Sequence, residues 1–444
     1  MNVTRSGSAL LLTTVLMLGA CGGGGDGVSQ VVAPPIAGCS VTEQNQFVID
    51  LMRDIYFWVD ELPASISAAD YNSPEETMAA IQFSPLDRFS GIRDQAANDA
   101  FFSESQFIGV GITLSFTDDD RVFLSQVFGD GPAAAAGLVR GDEILSINGQ
   151  NVSTIIAAGD SVSAAFGDNE VGVNVDIRYR DMAGSLLDVS FAKALVTIET
   201  VTTASVIQVN NTPTAYLGFR NFVTPSFEAL NDAFELFAAE GATEMILDVR
   251  YNGGGLISVA EFLSSLIGGS VTDGSLFTRR QHNQFNTNFN EDTLFTGEVN
   301  ALNLNKLVVI TTGSSASASE LVINGLRPFL DVTLVGEKSF GKPVGSYGYD
   351  FCDKTAVPIA FNNVNANGFG DYFDGFEVDC PATDDLTQPL GSELEGMLAE
   401  AITVMSTGSC STAAVQAKSQ GVVVSKARNV FRQEPEFRGL VGAY

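Results

Sequence analysis

The sequence predicts a multidomain protein of the α/β and α+β class, with a helical N-terminal segment, a small β domain and an α/β core. The chain has 444 residues, of which 45% are hydrophobic, so it is long enough for roughly two or three domains with cores of their own. Apolar residues at helical spacing come first, and short alternating strands follow from about residue 107. After about residue 201, near-continuous apolar strands alternate with helices, which is typical of a sheet covered on both faces.

The first 21 residues are typical of an export signal. An arginine precedes the apolar run ALLLTTVLML at 9–18, which is too short to cross a bilayer as a helix. The run leads into small residues followed by Cys21, an arrangement that resembles a bacterial lipobox. The resemblance implies cleavage before Cys21 and acylation of that residue, and a plain secretory signal is the alternative. Residues 22–38 are then a glycine-rich, flexible tether.

Residues 39–103 are predicted to form a helical domain. Ser40 and Glu43 have the spacing of a capping box ahead of an apolar series that begins at Phe47. The segment Ser-Pro-Glu-Glu at 73–76 predicts a second helix start, with serine as the cap and proline in the first turn.

Residues 104–200 are predicted to form the β domain, and their first strand is expected at 107–114. The stretch GPAAAAGLVRGDEILSING at 131–149 predicts a short helix, a turn, a strand and an Asn-Gly turn. This stretch resembles the signature of a PDZ domain, in the circularly permuted form found in bacterial proteases.

Peptide binding is the function that this PDZ resemblance implies. Glycines at 109 and 111 would let backbone N–H groups converge on a carboxylate, and the neighbouring strand edge would accept an extended peptide. A small β domain without a ligand is the alternative. The predicted peptide-binding residues are Phe107, Ile108, Gly109, Val110, Gly111 and Ile112.

Three segments of the predicted core, residues 201–410, place polar residues at the ends of strands. The stretch DVRYNGGG at 248–255 is a glycine-rich turn whose N–H groups can face negative charge. The stretch GSSASASE at 313–320 opens a helix, where a serine can present its hydroxyl outward. The stretch GEKSFGK at 336–342 ends a strand.

Together the three segments resemble the carboxyl-terminal processing proteases (tail-specific proteases), which use a serine–lysine dyad. The resemblance implies a ClpP/crotonase-like protease core with Ser317 as the nucleophile and Lys342 as the general base. It also implies an oxyanion hole formed by the N–H groups of Ala318 and Gly254.

The chemistry of such a dyad requires an uncharged lysine. Burial must therefore lower the pKa of Lys342 by roughly 3 units or more before its amine can accept a proton from Ser317. Glu320 lies one helical turn from Ser317, and because a carboxylate near the amine would keep it charged, we expect Glu320 to have a positioning role. One departure from the family pattern is Ser346, at the position where many members carry glutamine.

Charge and histidine content exclude several other functions. With 23 Lys+Arg against 53 Asp+Glu, the net charge of −30 argues against nucleic-acid partners. The single histidine, His282, excludes sites that need two, including most catalytic zinc sites. We expect His282 to be an ordinary surface residue, and neither a metal nor a cofactor is implied.

Four cysteines remain if Cys21 is lipidated, namely Cys39, Cys352, Cys380 and Cys410. An even number in an exported protein predicts disulfides. Of the three possible pairings we favour Cys352–Cys380, within one C-terminal segment, with Cys39–Cys410, which would tie the ends of the folded body together. Free buried thiols are the alternative.

The sequence thus predicts a serine endopeptidase that binds unstructured protein C-terminal tails and cleaves peptide bonds. The acylated Cys21 would anchor it in a membrane of the bacterial cell envelope, facing the periplasm. The alternative is a peptide-binding envelope lipoprotein or scaffold with weak or no catalysis. Residues 411–444 are expected to be a loose tail.

Overall fold

The structure is a computed structural model that describes residues 32–117, 119–304 and 306–419. The predicted export signal, Cys21 and most of the tether lie outside these residues. Within the described ranges, no helix has the length and apolar character needed to cross a bilayer.

The helices of the described residues are α1 Val41–Ile55, α2 Pro74–Ile81, α3 Gln95–Glu104, α4 Pro132–Ala135, α5 Val152–Ala158, α6 Ser226–Ala239, α7 Ile257–Gly268, α8 Ala318–Leu326, α9 Gly396–Thr407 and α10 Thr412–Ser419. The strands are β1 Gly91–Asp94, β2 Gln106–Gly109, β3 Ile112–Phe116, β4 Val122–Val127, β5 Glu143–Ile147, β6 Gln150–Asn151, β7 Asn174–Arg180, β8 Leu186–Ala192, β9 Ala194–Thr197, β10 Val201–Val209, β11 Thr212–Phe219, β12 Glu244–Asp248, β13 Leu276–His282, β14 Glu291–Leu294, β15 Lys306–Thr311, β16 Asp331–Gly336, β17 Val344–Ser346, β18 Tyr349–Phe351, β19 Lys354–Val357, β20 Ile359–Val364 and β21 Cys380–Pro381.

The N-terminal segment begins with the two predicted helices. At the start of α1 the Ser40 hydroxyl accepts from the Glu43 N–H, and the Glu43 carboxylate accepts from the Ser40 N–H. Ser73 caps α2. The prediction of helix throughout this segment was wrong at β1, which pairs with β19 in antiparallel fashion. Local sequence could not indicate this, because the partner strand lies more than 250 residues further along the chain.

The β domain has a sheet of its own, with strand order β3-β4-β5-β7-β8 and β6 beside β5. The predicted strand at 107–114 is in fact two strands, β2 and β3. They separate at Gly111, whose φ of +82° favours glycine and whose Cβ, if present, would lie 2.8 Å from the Gly131 Cα. β2 pairs with β9, and β3 forms an edge of the larger sheet.

The core contains a six-stranded sheet of order β10-β11-β12-β15-β16-β21. The pairs β11–β12, β12–β15 and β15–β16 are parallel. Helices α6, α7 and α8 contribute to the apolar cluster on one face, and α9 contributes to the cluster on the other. This confirms the doubly covered sheet that the apolar strands predicted.

The same four cysteines that the sequence singled out form two disulfides, but the favoured pairing was wrong. The bonds are Cys39–Cys352 and Cys380–Cys410. Cys352 lies between β18 and β19, and this hairpin packs against α1, where the rings of Phe47 and Phe351 stack with centroids 4.6 Å apart. The pairing therefore follows from tertiary packing, which cysteine spacing does not reveal.

Two smaller expectations also need correction. His282 is buried, with 8% of its surface exposed, because it ends β13 with its ring turned inward; one ring nitrogen lies 2.9 Å from the Tyr347 hydroxyl. Burial lowers the pKa of His282. The first residues of the expected loose tail form α10, and residues 420–444 lie outside the described residues.

Candidate active site

The three predicted segments meet at one edge of the core sheet. They follow β12, β15 and β16, and because these strands are parallel neighbours their carboxyl ends lie side by side. Backbone hydrogen bonds join the segments directly: the Ala316 N–H donates to the Asn252 carbonyl at 3.1 Å, and the Phe340 N–H donates to the Ser315 carbonyl at 3.0 Å. The grouping of the three segments is therefore built into the fold.

Ser317 occupies a strained position at the start of α8. Its φ of 60° and ψ of −114° are unusual for a residue with a side chain. The residue is 1% exposed, and its hydroxyl makes no hydrogen bond within the described part of the chain. A buried hydroxyl without a partner is uncommon in proteins and is a feature expected of a group kept available for chemistry.

The glycine loop lies directly against Ser317. A Cβ on Gly254 would lie 2.8 Å from the Ser317 Cβ and 2.9 Å from the Ala318 nitrogen, so only glycine fits there without displacing the helix start. Ala318 is the first residue of α8, and its N–H therefore has no intrahelical partner.

Gly254 does not present a free N–H in this structure. Its N–H donates to the Asn252 side-chain oxygen at 2.9 Å. Of the two predicted oxyanion donors, only the Ala318 N–H is available, because it lies in the first turn of the helix beside Ser317. The Gly254 N–H is bound to the Asn252 side chain of its own loop. Gly254 remains a prediction as an oxyanion donor, since that role requires exchange of this bond.

Lys342 is buried on the neighbouring segment, with 3% of its surface exposed. Burial, followed by repulsion from the Arg93 guanidinium, lowers the pKa of Lys342 to about 7, although the carboxylates of Asp87 and Glu320 oppose that change. A large fraction of the amine is therefore neutral at neutral pH, which is the condition for a lysine base.

Glu320 links the serine segment to the lysine segment. Its buried carboxylate accepts from the backbone N–H groups of Ser317 (2.9 Å), Gly341 (2.7 Å) and Lys342 (2.8 Å), and from the Ser339 hydroxyl (2.6 Å). Burial raises the pKa of Glu320, and these donors oppose the rise. The contacts fit the predicted positioning role, because the carboxylate fixes both backbones.

A buried ion network supports the glycine loop, and the sequence analysis missed it. Arg250 is 1% exposed and pairs with Asp248 (2.7 Å), Asp384 (3.0 Å) and Glu395 (2.8 Å). The Thr312 hydroxyl donates to the Arg250 carbonyl. Only Asp248 and Arg250 are close in sequence, so no local pattern indicated the two distant carboxylates.

The β domain contributes one arginine to this network. Arg140 pairs with Asp384 at 2.5 Å and donates to the Tyr251 hydroxyl at 2.7 Å and the Ser125 carbonyl at 2.7 Å. The β domain is thus joined to the loop that leads to Gly254.

The predicted peptide-binding residues are divided between two strands. Phe107, Ile108 and Gly109 lie in β2, which pairs with β9, whereas Ile112 begins the edge strand β3. The carbonyl of Gly111 accepts from Phe128, and that of Val110 accepts from the N–H of the second residue of α4. Peptide binding by these residues remains a prediction.

Ser346 is buried in β17.

Three family models match the chain. Residues 213–379 match peptidase family S41, residues 43–91 match the peptidase S41 N-terminal domain, and residues 125–170 match a PDZ domain. The chain thus contains a peptidase family S41 domain, preceded by an S41 N-terminal domain and a PDZ domain. The predicted fold class, with a helical N-terminal segment, a PDZ domain and a protease core, is confirmed.

Curated relatives of this chain are processing proteases. The carboxy-terminal processing protease CtpA of Bacillus subtilis is 24% identical over 277 residues, which are 62% of this chain and 56% of that protein. The carboxyl-terminal-processing protease of Synechocystis is 24% identical over 294 residues, which are 65% of each. The chain thus spans less than two thirds of the length of these relatives.

Solved structures share the fold of this chain. A Bacteroides fragilis protein described as an S41 protease has a TM-score of 0.64 at 23% identity and covers 81% of this chain and 97% of its own. The photosystem II D1 C-terminal processing protease has a TM-score of 0.52 at 17% identity, with coverage of 83% and 99%.

Proposed function

We propose that the protein is a serine endopeptidase of the carboxy-terminal processing type, with Ser317 as nucleophile and Lys342 as general base. The observation that carries the proposal is the buried, pKa-lowered amine of Lys342 on a segment that Glu320 ties to the strained serine. Burial favours the neutral form of the amine, and a neutral amine can accept the proton of a serine hydroxyl.

In the proposed mechanism the Ser317 hydroxyl attacks the peptide carbonyl while Lys342 takes its proton. Lys342 then returns that proton to the leaving amine, and water releases the acyl group from the serine. The Ala318 N–H stabilises the oxyanion, and the Gly254 N–H joins it after exchanging its bond to Asn252. Each such donor lowers the barrier by roughly 3 kcal/mol.

The PDZ domain supports the choice of peptides or proteins as substrates. β3 is an edge strand, and an extended chain can add to such an edge through main-chain hydrogen bonds. We propose unstructured C-terminal tails as the substrates, with residues 107–112 as their binding segment.

We also propose that the protein is a lipoprotein of the bacterial envelope, anchored through Cys21 and facing the periplasm. The two disulfides support an oxidising compartment, since such bonds rarely persist in the cytosol. Mass spectrometry of the mature N-terminus tests this part, and an unmodified N-terminus that retains residues 1–20 contradicts it.

The activity is tested by cleavage of a tail peptide by the full chain and by three variants. We expect Ser317→Ala and Lys342→Ala to abolish turnover. Lys338→Ala is the matched control, because this exposed lysine lies on the same segment and pairs with Glu377; it should cleave like the wild type. Wild-type turnover by Ser317→Ala contradicts the proposal, and peptide binding without turnover by the wild type favours the scaffold alternative.

A further inference from the structure

The loop between α2 and β1 lies against the segment that carries Lys342. One terminal nitrogen of Arg88 is 3.1 Å from each of three carbonyl oxygens, those of Phe340, Gly341 and Phe373. Two of these residues immediately precede Lys342. A guanidinium that bridges several carbonyls fixes their relative positions, so Arg88 restrains the backbone from which the base extends.

Aromatic rings of the α2–β1 loop and of the segment that carries Lys342 surround the Arg88 guanidinium. The Arg88 guanidinium lies 4.9 Å from the Phe89 ring centroid and 5.1 Å from that of Phe340. The Lys342 amine lies 5.5 Å from the Phe89 centroid. Phe89 also packs with Phe340 against Ala316, the residue before the serine. Phe89 therefore lies close both to the amine of Lys342 and to the residue before Ser317.

The loop itself is rigidly held. Asp87 is buried, and its carboxylate accepts from the N–H groups of Phe89 and Ser90 at 2.9 Å each and from the Tyr56 hydroxyl at 2.7 Å. Residues 91–94 then pair with β19 as strand β1. The backbone is therefore held in place both immediately before and immediately after Phe89.

The charged groups that face Lys342 come from the N-terminal segment and from the core. Arg93 of the N-terminal segment disfavours the ammonium, whereas Asp87 of that segment and Glu320 of the core favour it. Burial is the largest of these influences and lowers the pKa of Lys342. The Phe89 ring, with its centroid 5.5 Å from the amine, is one of the apolar groups near it.

We propose that residues Asp87–Arg93, within the N-terminal segment, complete the catalytic site. Arg88 positions the backbone of Lys342, and Phe89 shields the Lys342 amine from water. This inference rests on the proposed function. Arg88 and its core partner Phe340 are 252 residues apart in sequence, so the environment of the base is assembled from two distant parts of the chain. Both Arg88 and Phe89 are positioning residues, since they act through Lys342.

The shielding role is tested by the pH dependence of kcat/KM in full-length Phe89→Ala and Phe89→Leu. Loss of the ring in Phe89→Ala admits water, so the pKa of Lys342 rises and the acid limb of the profile moves to higher pH, with activity restored at alkaline pH. Phe89→Leu keeps an apolar side chain and should retain a limb close to that of the wild type. Phe285→Ala removes an exposed phenylalanine and serves as the control.

An unchanged acid limb in Phe89→Ala overturns the shielding role. Equal loss of activity at every pH in both Phe89 variants also overturns it, because that result indicates general disruption of the fold. The rate at which a fluorophosphonate labels Ser317, followed over the same pH range, supplies a second readout that does not depend on the tail peptide.

The positioning role is tested with Arg88→Gln, compared with Arg53→Gln on the exposed side of α1. A misplaced base lowers kcat by about 10²-fold, because small displacements of reacting groups have effects of that size. KM and the thermal unfolding midpoint should stay close to the wild-type values. Activity equal to that of Arg53→Gln overturns the role, and so does an unfolding midpoint that falls in proportion to the activity.

Failure of this inference can be distinguished from failure of the proposed function. If Ser317→Ala is inactive while Phe89→Ala and Arg88→Gln behave like their controls, the peptidase stands and the N-terminal segment has no part in its site. If Ser317→Ala cleaves like the wild type, the proposed function fails and the inference fails with it.

Discussion

Ser317, the proposed nucleophile, has an unfavourable backbone conformation. Its φ of 60° is maintained by the surrounding contacts, which include the Glu320 carboxylate on its N–H and Gly254 against its side chain. Strain of this kind costs about 1–3 kcal/mol and persists where the neighbouring structure imposes it. The family resemblance implied that Ser317 is the nucleophile, but the sequence could not indicate the strain.

This strain predicts an order of stability between two inactive variants. Ser317→Gly relieves the conformational cost, whereas Ser317→Ala keeps a Cβ and retains it. We expect Ser317→Gly to be more stable than Ser317→Ala by about 1 kcal/mol in denaturant unfolding. The opposite order would show that the serine conformation is not strained.

At the scale of secondary-structure elements, Glu320 in α8 holds the start of its own helix against the segment after β16. Glu320→Gln replaces an acceptor of four hydrogen bonds with a group that can accept at only one atom. We expect kcat to fall by about 10²-fold as the dyad geometry loosens.

The pH profile of Glu320→Gln should move in the opposite direction to that of Phe89→Ala. The Glu320 carboxylate favours the charged amine, so its removal lowers the pKa of Lys342 further and shifts the acid limb to lower pH. Glu393→Gln, on an exposed residue of the loop before α9, is the control. A limb that stays in place or moves to higher pH would contradict this assignment.

Local sequence patterns predicted those elements that are specified by residues only a few positions apart. The caps at Ser40 and Ser73 fixed two helix starts, and the glycine loop and the serine-rich turn were identified at strand ends. β1 and the inward ring of His282 could not be predicted, because each depends on a partner far along the chain. The site residues stay a prediction from the family motif, and the distant residues that surround them could not be predicted from local sequence.

At the scale of the whole molecule, long-range links tie the N-terminal segment to the core. The Cys39–Cys352 bond joins residues 313 apart, and Arg88 reaches the segment before Lys342. Composition and apolar periodicity predicted the three parts of the chain, but how they pack on one another follows from tertiary contacts. For that reason the favoured cysteine pairing was wrong although the cysteines themselves were correct.

The long disulfide predicts a measurable effect on stability. Closing a loop of this length restricts the unfolded chain, so we expect Cys39→Ser with Cys352→Ser to lower the free energy of unfolding by about 2–4 kcal/mol. Cys380→Ser with Cys410→Ser removes a bond between residues only 30 apart and should have a smaller effect. Equal unfolding midpoints for wild type and the first double variant under oxidising conditions would contradict a stabilising role for the long disulfide.

The most direct test of the account is the pH dependence of Ser317 labelling by a fluorophosphonate in the full-length protein. The labelling rate should rise with pH through a midpoint close to the lowered pKa of Lys342, about 7, because only the neutral amine activates the serine. The rise should be absent in Lys342→Ala and present in Lys338→Ala. A midpoint near the ordinary lysine pKa, or an unchanged profile in Lys342→Ala, would contradict the claim that a buried neutral lysine activates Ser317.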